Sequence, residues 1–416
     1  MQTNLADFIK NTPEGKEADA ILRSCVHCGF CLATCPTYQL LGDELDSPRG
    51  RIYLMKQMLE GQPVTEKTQL HLDRCLTCRA CESTCPSGVR YAHLIDISRD
   101  IIEKQIKRKP QSGMLRFALR KALPNAGIFK SLVKLGWMAR PVLPDQLKET
   151  LPPEPKPASA WPTTQHARKM LVLDGCVQPT LAPNINAASA RVLDKLGISL
   201  VKAEKAGCCG AVTFHLNAQK DGLGYMRHNI DAWWPLIERK EVEAIVMTAS
   251  GCGVTVKEYG HYLRHDAKYA EKAKKIADLT KDISEILHAE LAQIEQLVDQ
   301  QTTKPQMSDL AFHSPCTLQH GQQIRGLAEK ILTTAGFQLT VVPDAHLCCG
   351  SAGTYSILQP ELSQELLKNK VTALESGQPE QIATANIGCL THIQDGSSLP
   401  VRHWVEVLDE QLGRFV

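Results

Sequence analysis

Aromatic residues are scarce in this 416-residue sequence, at 5%, which excludes a chain built on stacking surfaces for bases. An excess of one charge is also missing. Lys and Arg number 47 against 45 Asp and Glu, a net charge of +2, so no nucleic-acid partner and no disordered charged tail is expected. No run approaches ~18 uninterrupted apolar residues, so no helix is expected to span a bilayer. The N-terminus, "MQTNLADFIKNTPEGKEADA", is polar and mixed in charge, unlike a signal or transit peptide. The expected compartment is therefore the cytoplasm, where disulfides are rare. No G-x-G-x-x-G fingerprint follows a strand, no P-loop is present, and "DGLGYM" near Gly222 lacks the strand it would need. No flavin or NAD is expected on this chain. No Ser–His or Cys–His spacing suggests a catalytic residue either.

What the sequence has is cysteine, sixteen residues of it. In a reducing compartment, patterned cysteines bind metal or do redox chemistry. "CVHCGFCLATCP" (Cys25 to Pro36) and "CLTCRACESTCP" (Cys75 to Pro86) share the template C-x2-C-x2-C-x3-C-P, 50 residues apart. This is the bacterial ferredoxin run, in which the fourth cysteine ligates the other cluster of a pair. The expected assignment is one [4Fe–4S] cluster on Cys25, Cys28, Cys31 and Cys85. The second falls on Cys75, Cys78, Cys81 and Cys35. Zinc, the alternative, needs four tetrahedral ligands and explains neither the third cysteine nor the Cys-Pro ending in both copies.

Pro36 and Pro86 are expected to end each loop's turn and fix its backbone. Gly29 and the small Ala80 are taken as equivalent, where amides must approach cluster sulfurs. The 39 residues between Cys35 and Cys75 exceed what a compact ferredoxin needs. Within them Ser47 reads as an N-cap and Pro48 as the first helical position, followed by an apolar face of Ile52, Leu54, Met55, Met58 and Leu59. Helices should therefore separate the cluster loops. Arg49, Arg51, Arg74 and Arg79 either raise cluster potentials or pair with acids such as Asp46 and Asp73.

The other eight cysteines repeat as well. Cys176, Cys208–Cys209 and Cys252 match Cys316, Cys348–Cys349 and Cys389, with 32 positions from the first cysteine to the pair in both units. Glycine follows each pair, Gly210 and Gly350. A period of about 140 residues marks a duplicated domain. The runs "KMLVLDG", "ISLVKA" and "AIVMTASG", then "DLAFHSP", "FQLTVVPDAH" and "IATANIG", read as buried strands just before the cysteines. "NAASARVLDKLG" and "LAEKILTTAG" read as helices closed by glycine. Strand–helix alternation implies a parallel sheet, with sites beyond the carboxyl ends of its strands. Three readings stay open for these cysteines: a further metal or redox centre in one or both units, buried small hydrophobes, or vicinal pairs cycling between dithiol and disulfide.

With all sixteen cysteines placed, the sequence resembles iron–sulfur electron-transfer subunits of the glycolate oxidase, anaerobic glycerol-3-phosphate dehydrogenase and heterodisulfide reductase group. "CVHCGFCLATCPTYQLLGDELDSPRGRIYLMKQ", "AGCCGAVTFHLNAQ" and "HLCCGSAGTYSILQP" are most similar to the glycolate oxidase iron–sulfur subunit family. The resemblance implies an FAD-containing flavoprotein partner and glycolate, with D-lactate as a second candidate, as substrate. Oxidising a 2-hydroxy acid needs a two-electron acceptor such as flavin, whereas iron–sulfur clusters take one electron each. Heterodisulfide reductases carry a C-x2-C pair at the end of each unit, for a five-thiolate non-cubane cluster. Here Thr255 and His392 hold the partner positions, so four-thiolate sites are expected. His392 is either an auxiliary ligand or structural.

The expected fold is α+β and multidomain. Residues 1–110 form a helical two-cluster ferredoxin domain, and 111–165 carry basic amphipathic helices and a Pro-rich linker. Residues 166–300 and 301–416 form two α/β cysteine-rich domains. From Lys104 to Pro144 no acidic residue occurs, while Leu115, Leu119 and Leu123, then Phe129, Leu132, Val133 and Trp137, recur at helical spacing. That pattern suits peripheral attachment to the inner face of the cytoplasmic membrane and delivery of electrons to a membrane quinone. It suits better an interdomain or subunit-docking helix whose apolar face is simply core. A thiol–disulfide reductase of heterodisulfide type, and a scaffold with structural clusters, are the competing functional readings.

Overall fold

The computed structural model describes residues 1–144, 148, 151–300 and 308–413. The polar stretch 301–307, expected to separate the cysteine-rich units, lies outside the described residues.

The N-terminal part is helical. Helix α1 (Pro13–Ser24) is capped by Thr12, whose hydroxyl accepts from Gly15 N at 3.0 Å. Helices α2 (Pro36–Leu41), α3 (Pro48–Leu59) and α4 (Glu66–Asp73) fill the interval between the two ferredoxin-like runs. As expected, Ser47 caps α3 and Pro48 opens it. Ile52, Met55, Met58 and Leu59 are buried, while Leu54 is half-exposed. The short α5 (Ala80–Thr84) and the long α6 (Tyr91–Gln105) complete the layer. Their inward faces meet in one core with Leu22, Leu72, Leu94, Ile95 and Ile102, each worth about 1.5–3 kcal/mol of burial.

Helices α7 (Pro110–Ala122) and α8 (Ala126–Ala139) follow, broken at Pro124, with Asn125 accepting from Ile128 N to start α8. Their apolar side chains are mostly left outside. Met114, Phe117, Ile128, Leu132, Leu135 and Met138 are all exposed, and of the apolar positions on the two helices only Val133 is buried. Among the described residues this face is not core. Residues 151–162 then run without helix or strand.

Two four-stranded, wholly parallel sheets make up the rest. The first has the order β2-β1-β3-β4, with β1 Arg168–Val172, β2 Ile198–Lys202, β3 Ile245–Met247 and β4 Thr280–Asp282. The second repeats it as β6-β5-β7-β8, with β5 Asp309–His313, β6 Gln338–Leu339, β7 Gln381–Thr384 and β8 Val401–His403. Matching register, Arg168 to Ile198 and Asp309 to Gln338, fixes the same crossover in both. The run through Val341 and Val342 is a strand only at Gln338–Leu339, because Val341 is 84% exposed and offers nothing to bury. The fourth strand of each sheet is a three-residue edge, too short to leave a period in the sequence.

The helices Asn184–Lys195 and Leu327–Thr334 end as expected, at left-handed Gly197 and Gly336. Met170, Val172 and Leu193 of the first unit and Leu310, Phe312 and Trp404 of the second belong to one continuous apolar core. The two units therefore fold against each other, not as beads on a linker.

Candidate functional site

The two ferredoxin-like loops share a backbone. His27 and Thr77 have φ of 56° and 53°, and the next pair of equivalent residues, Gly29 and Arg79, have 86° and 64°. The residue matching Gly29 is thus Arg79, a correction to the expected pairing with Ala80. Arg79 bears the left-handed strain because its guanidinium is held on Glu82 at 2.7 Å and Glu258 at 2.6 Å. Pro36 opens α2, with Cys35 at its N-cap, whereas Pro86 lies in a turn.

These loops frame two pockets. One, of about 440 Å³, is lined by Cys25, Cys28, Cys31 and Cys85, together with Cys81. The other, of about 330 Å³, is lined by Cys35, Cys75, Cys78 and Cys81. Folding has brought Cys85 to the first run and Cys35 to the second, the crossing expected of a paired-cluster domain. Donors point at sulfur: Thr77 N reaches Cys75 Sγ at 3.4 Å, and the Tyr91 hydroxyl reaches it at 3.6 Å. The four thiols in each pocket suit an iron–sulfur cubane. Burial pushes Cys31 up to about 11, and Cys78 and Cys81 well above the ordinary thiol range. A metal bound there must therefore displace protons from neutral thiols.

The four arginines take the acid-pairing alternative. Arg51 is fully buried, 3.0 Å from Asp46 Oδ1, and Arg74 lies 2.9 Å from Asp46 Oδ2. Arg49 pairs with Glu44, and Asp73 takes Arg108 and Arg116. A strap that sequence reasoning missed is Arg99, which donates to Leu72 O (2.7 Å), Cys75 O (2.6 Å) and Thr77 Oγ1 (3.0 Å). It sits on α6 in an amphipathic pattern with nothing to set it apart from a solvated arginine.

In the cysteine-rich units all eight cysteines lie beyond the carboxyl ends of strands. Cys176 and Cys208 lie close enough to shift each other's titration, as do Cys209 and Cys252. In the second unit Cys316 Sγ lies 3.8 Å from Cys348 Sγ, and the Cys349 and Cys389 sulfurs lie within 4.8 Å of each other. So the thiols of each unit converge. Neighbouring thiols, and then burial, push Cys209 and Cys316 well above the ordinary range. The glycine after each pair is required twice over. Gly210 and Gly350 have φ of 92° and 94°, and an added Cβ would fall 2.7 Å from Gly222 O and 2.6 Å from Ser363 O.

Family comparison agrees with this division. Residues 21–89 match a 4Fe-4S dicluster domain, and residues 170–257 and 310–394 each match a cysteine-rich domain. The chain is 56% identical over 412 residues, 99% of each sequence, to the glycolate oxidase iron-sulfur subunit of Escherichia coli K12. The chain belongs to the glycolate oxidase iron–sulfur subunit family. It is also 31% identical, over 97% of both chains, to the probable glycolate oxidase iron-sulfur subunit of Bacillus subtilis 168. Lactate utilization protein A of the same organism is 26% identical over 57% of this chain. Membership makes this chain an iron–sulfur electron-transfer component of an oxidoreductase. Among the described residues no helix is long and apolar enough to cross a membrane.

For this family member, the supports around each vicinal pair differ between the units. In the first, Asn229 accepts from Gly207 N (2.8 Å) and donates to Cys208 O (2.9 Å), and Tyr259 donates to Cys209 O (2.8 Å). The burial pattern Gly222, Met226, Asn229, Ile230 corresponds to Ser363, Leu367, Lys370, Val371. Lys370 thus stands where Asn229 does, donating to Asp344 O at 2.9 Å. His392, expected as ligand or structural, is hydrogen-bonded through Nε2 to Ser363 Oγ at 3.1 Å, the structural alternative. His313 was not singled out from sequence. It lies against Cys349 and Cys389, and only its place three residues before Cys316 marks it.

The dicluster part docks on both units. His93 stacks on His261 with ring centroids 3.8 Å apart. Glu17 meets Arg264 at 2.6 Å, and His93 lies 3.1 Å from Glu17 and 3.5 Å from Glu258. Toward the second unit, Tyr355 donates to Arg74 O at 3.1 Å, and His320 meets Ser83 Oγ at 3.0 Å. Leu76 and Cys78 share an apolar cluster with Cys316, Cys348 and Tyr355.

Proposed function

We propose that this chain is the electron-transfer subunit of a flavin-linked glycolate dehydrogenase, with D-lactate as a second substrate, relaying electrons from an FAD-containing subunit to a membrane quinone. The observation that carries this is the asymmetry of the two pockets. Cys28 is exposed, and Val26 (67% exposed) and Phe30 (62%) flank it on the rim of the first pocket, a natural approach for a donor protein. The second pocket packs through Cys78 against Cys316 and Cys348. Cys25, Cys28, Cys31 and Cys85 hold one [4Fe–4S] cluster, and Cys35, Cys75, Cys78 and Cys81 hold the other. When bound, such clusters supply one-electron steps, which divide the electron pair taken from the hydroxy acid by the flavin. Cys176, Cys208, Cys209 and Cys252, and Cys316, Cys348, Cys349 and Cys389, form the further sites. Arg99, Tyr91 and the amide of Thr77 hold the Cys75 loop in place. The names of the relatives support glycolate as the electron source.

The exposed stripe on α7 and α8 supports attachment to an anionic lipid surface. Arg120, Lys121, Lys130, Lys134 and Arg140 accompany it with no acidic residue in the segment, and basic residues near such a surface contribute about 1 kcal/mol each. Flotation of the intact complex with anionic vesicles at low salt should succeed, and should weaken with Lys130→Glu and Lys134→Glu. A complex that ignores anionic vesicles, or one that holds this stripe buried against its own flavoprotein, overturns the lipid assignment.

The substrate test uses the anaerobically purified complex. Glycolate, D-lactate and glycerol 3-phosphate are added in turn while the visible iron–sulfur absorbance is followed. Bleaching by glycolate supports the relay. If dithionite bleaches and none of the three does, the substrate assignment fails, and the heterodisulfide-type reading of the vicinal pairs becomes the better one.

A further inference from the structure

The two cysteine-rich sites differ chemically, and the difference lies at the end of β5. His313 closes that strand three residues before Cys316 and is 2% exposed. Its Nε2 is buried without a hydrogen-bond partner. A ring nitrogen of His313 and the Sγ atoms of Cys349 and Cys389 all lie within 4.8 Å of one another. A buried nitrogen with no partner carries its full desolvation cost. A bridging water would need about two to four polar partners, and thiols are weak ones.

The duplication supplies an internal comparison. Three residues before Cys176 the first unit has Leu173, packed in the same apolar cluster as Cys209. That position needs only an apolar side chain to complete the fold. The second unit instead places there a side chain that binds metals. It also replaces the amide of Asn229 with the buried cation Lys370, set among the sequence neighbours of the same vicinal pair.

We propose that His313 is a ligand of the metal centre in the second unit, which gives that site a mixed thiolate–imidazole donor set absent from the first. This rests on the reading that the second unit's cysteines hold iron. An imidazole is neutral where a thiolate is anionic, so a centre that takes His313 in place of one of the four thiolates carries less negative charge and a higher potential, as histidine-for-cysteine exchange does in Rieske centres. Lys370 acts in the same direction. The site so tuned is the one against which Cys78 packs, so the more oxidising centre stands next to the second ferredoxin-type pocket.

The test uses the intact complex, purified anaerobically from cells fed 15N-histidine or unlabelled histidine and reduced in steps. Pulsed paramagnetic resonance should show one centre with a strongly coupled nitrogen that changes with the isotope, a readout that needs no variant. His313→Leu, which installs the first unit's residue, should abolish that coupling, and His392→Gln should keep it. His313→Cys should shift the midpoint potential of that centre downward. Iron in the second unit without histidine coupling, or coupling that survives His313→Leu, overturns the ligand assignment alone. Absence of iron from the second unit, read from the metal content of a variant lacking Cys316, Cys348, Cys349 and Cys389 against the parent complex, overturns the underlying reading as well.

Discussion

Asp46 has no exposure and faces three nitrogen groups: Arg51 at 3.0 Å, Arg74 at 2.9 Å and His71 at 3.2 Å. Its backbone oxygen also accepts from Thr37 at 3.0 Å, beside Cys35. Breaking a buried pair from one side leaves the other charge stranded, at a cost of about 3–5 kcal/mol. Asp46→Ala should therefore lose stability on that order in chemical denaturation, and its visible absorbance should fall before the cysteine-rich units unfold, since Arg51 lines the second pocket. An unchanged denaturation midpoint would show that Arg51 finds another counter-ion. A different constraint governs Gly350. Gly350→Ala meets both a left-handed φ and Ser363 O at 2.6 Å. It should displace the Cys348–Cys349 pair and lower the iron content of the second unit, whereas Gly326→Ala, which meets nothing within 4 Å, should pay only for its φ of 75° and retain iron.

At the scale of elements, the contact between the dicluster part and the first cysteine-rich unit is built from ionisable groups. Burial alone would raise the Glu258 carboxyl, but the His93 hydrogen bond and Arg79 outweigh it and hold it at about 2. Burial would depress His93, yet Glu17 and Glu258 raise it above its ordinary 6.5. Burial, then the charge on His93, drives the stacked His261 down to about 4, so His261 is neutral near neutrality and the two rings are not charged together there. A depressed carboxyl stabilises above its unfolded value and loses that contribution as pH falls toward about 2. A raised histidine stabilises on the acid side and loses its contribution as pH rises through its elevated value. His261, depressed to about 4, costs stability progressively as pH falls below its ordinary 6.5, so docking should be firmest near about pH 6.5. His93→Gln should flatten the alkaline limb, measured as protection of α6 amides from hydrogen exchange across pH. A limb unchanged in His93→Gln would assign it to another group.

For the whole molecule, metal content separates the readings. About eight irons per chain would fill the ferredoxin-type pockets only, and about twelve or sixteen would bring in one or both further sites. Fewer than about eight in anaerobically prepared protein would sink the paired-cluster assignment. Low pH should strip the metal, because the buried thiols take up protons as it leaves. The units also share one core through Leu193, Phe312 and Trp404. Trp404→Ala, which costs about 3–5 kcal/mol in a packed core, should for that reason destabilise both sheets together, seen as loss of a single cooperative transition's stability and not as two separated ones.

Local spacing determined much of this. The C-x2-C-x2-C-x3-C-P runs, the capping of α3 by Ser47, six strand positions and the repeated C…CCG…C frame were legible because each depends on residues within a turn or a strand of one another. Tertiary structure decided what depends on distant partners. Arg79 takes a strained φ because Glu258, far along the chain, holds it. Arg99 straps the Cys75 loop, and Lys370 takes the place of Asn229. The apolar faces of α7 and α8 stay outside the core because, among the described residues, no element covers them, which periodicity alone cannot tell. His313 is an ordinary strand residue in sequence. It becomes a candidate ligand only when the fold sets a ring nitrogen beside Cys349 and Cys389 and leaves its Nε2 buried without a hydrogen-bond partner.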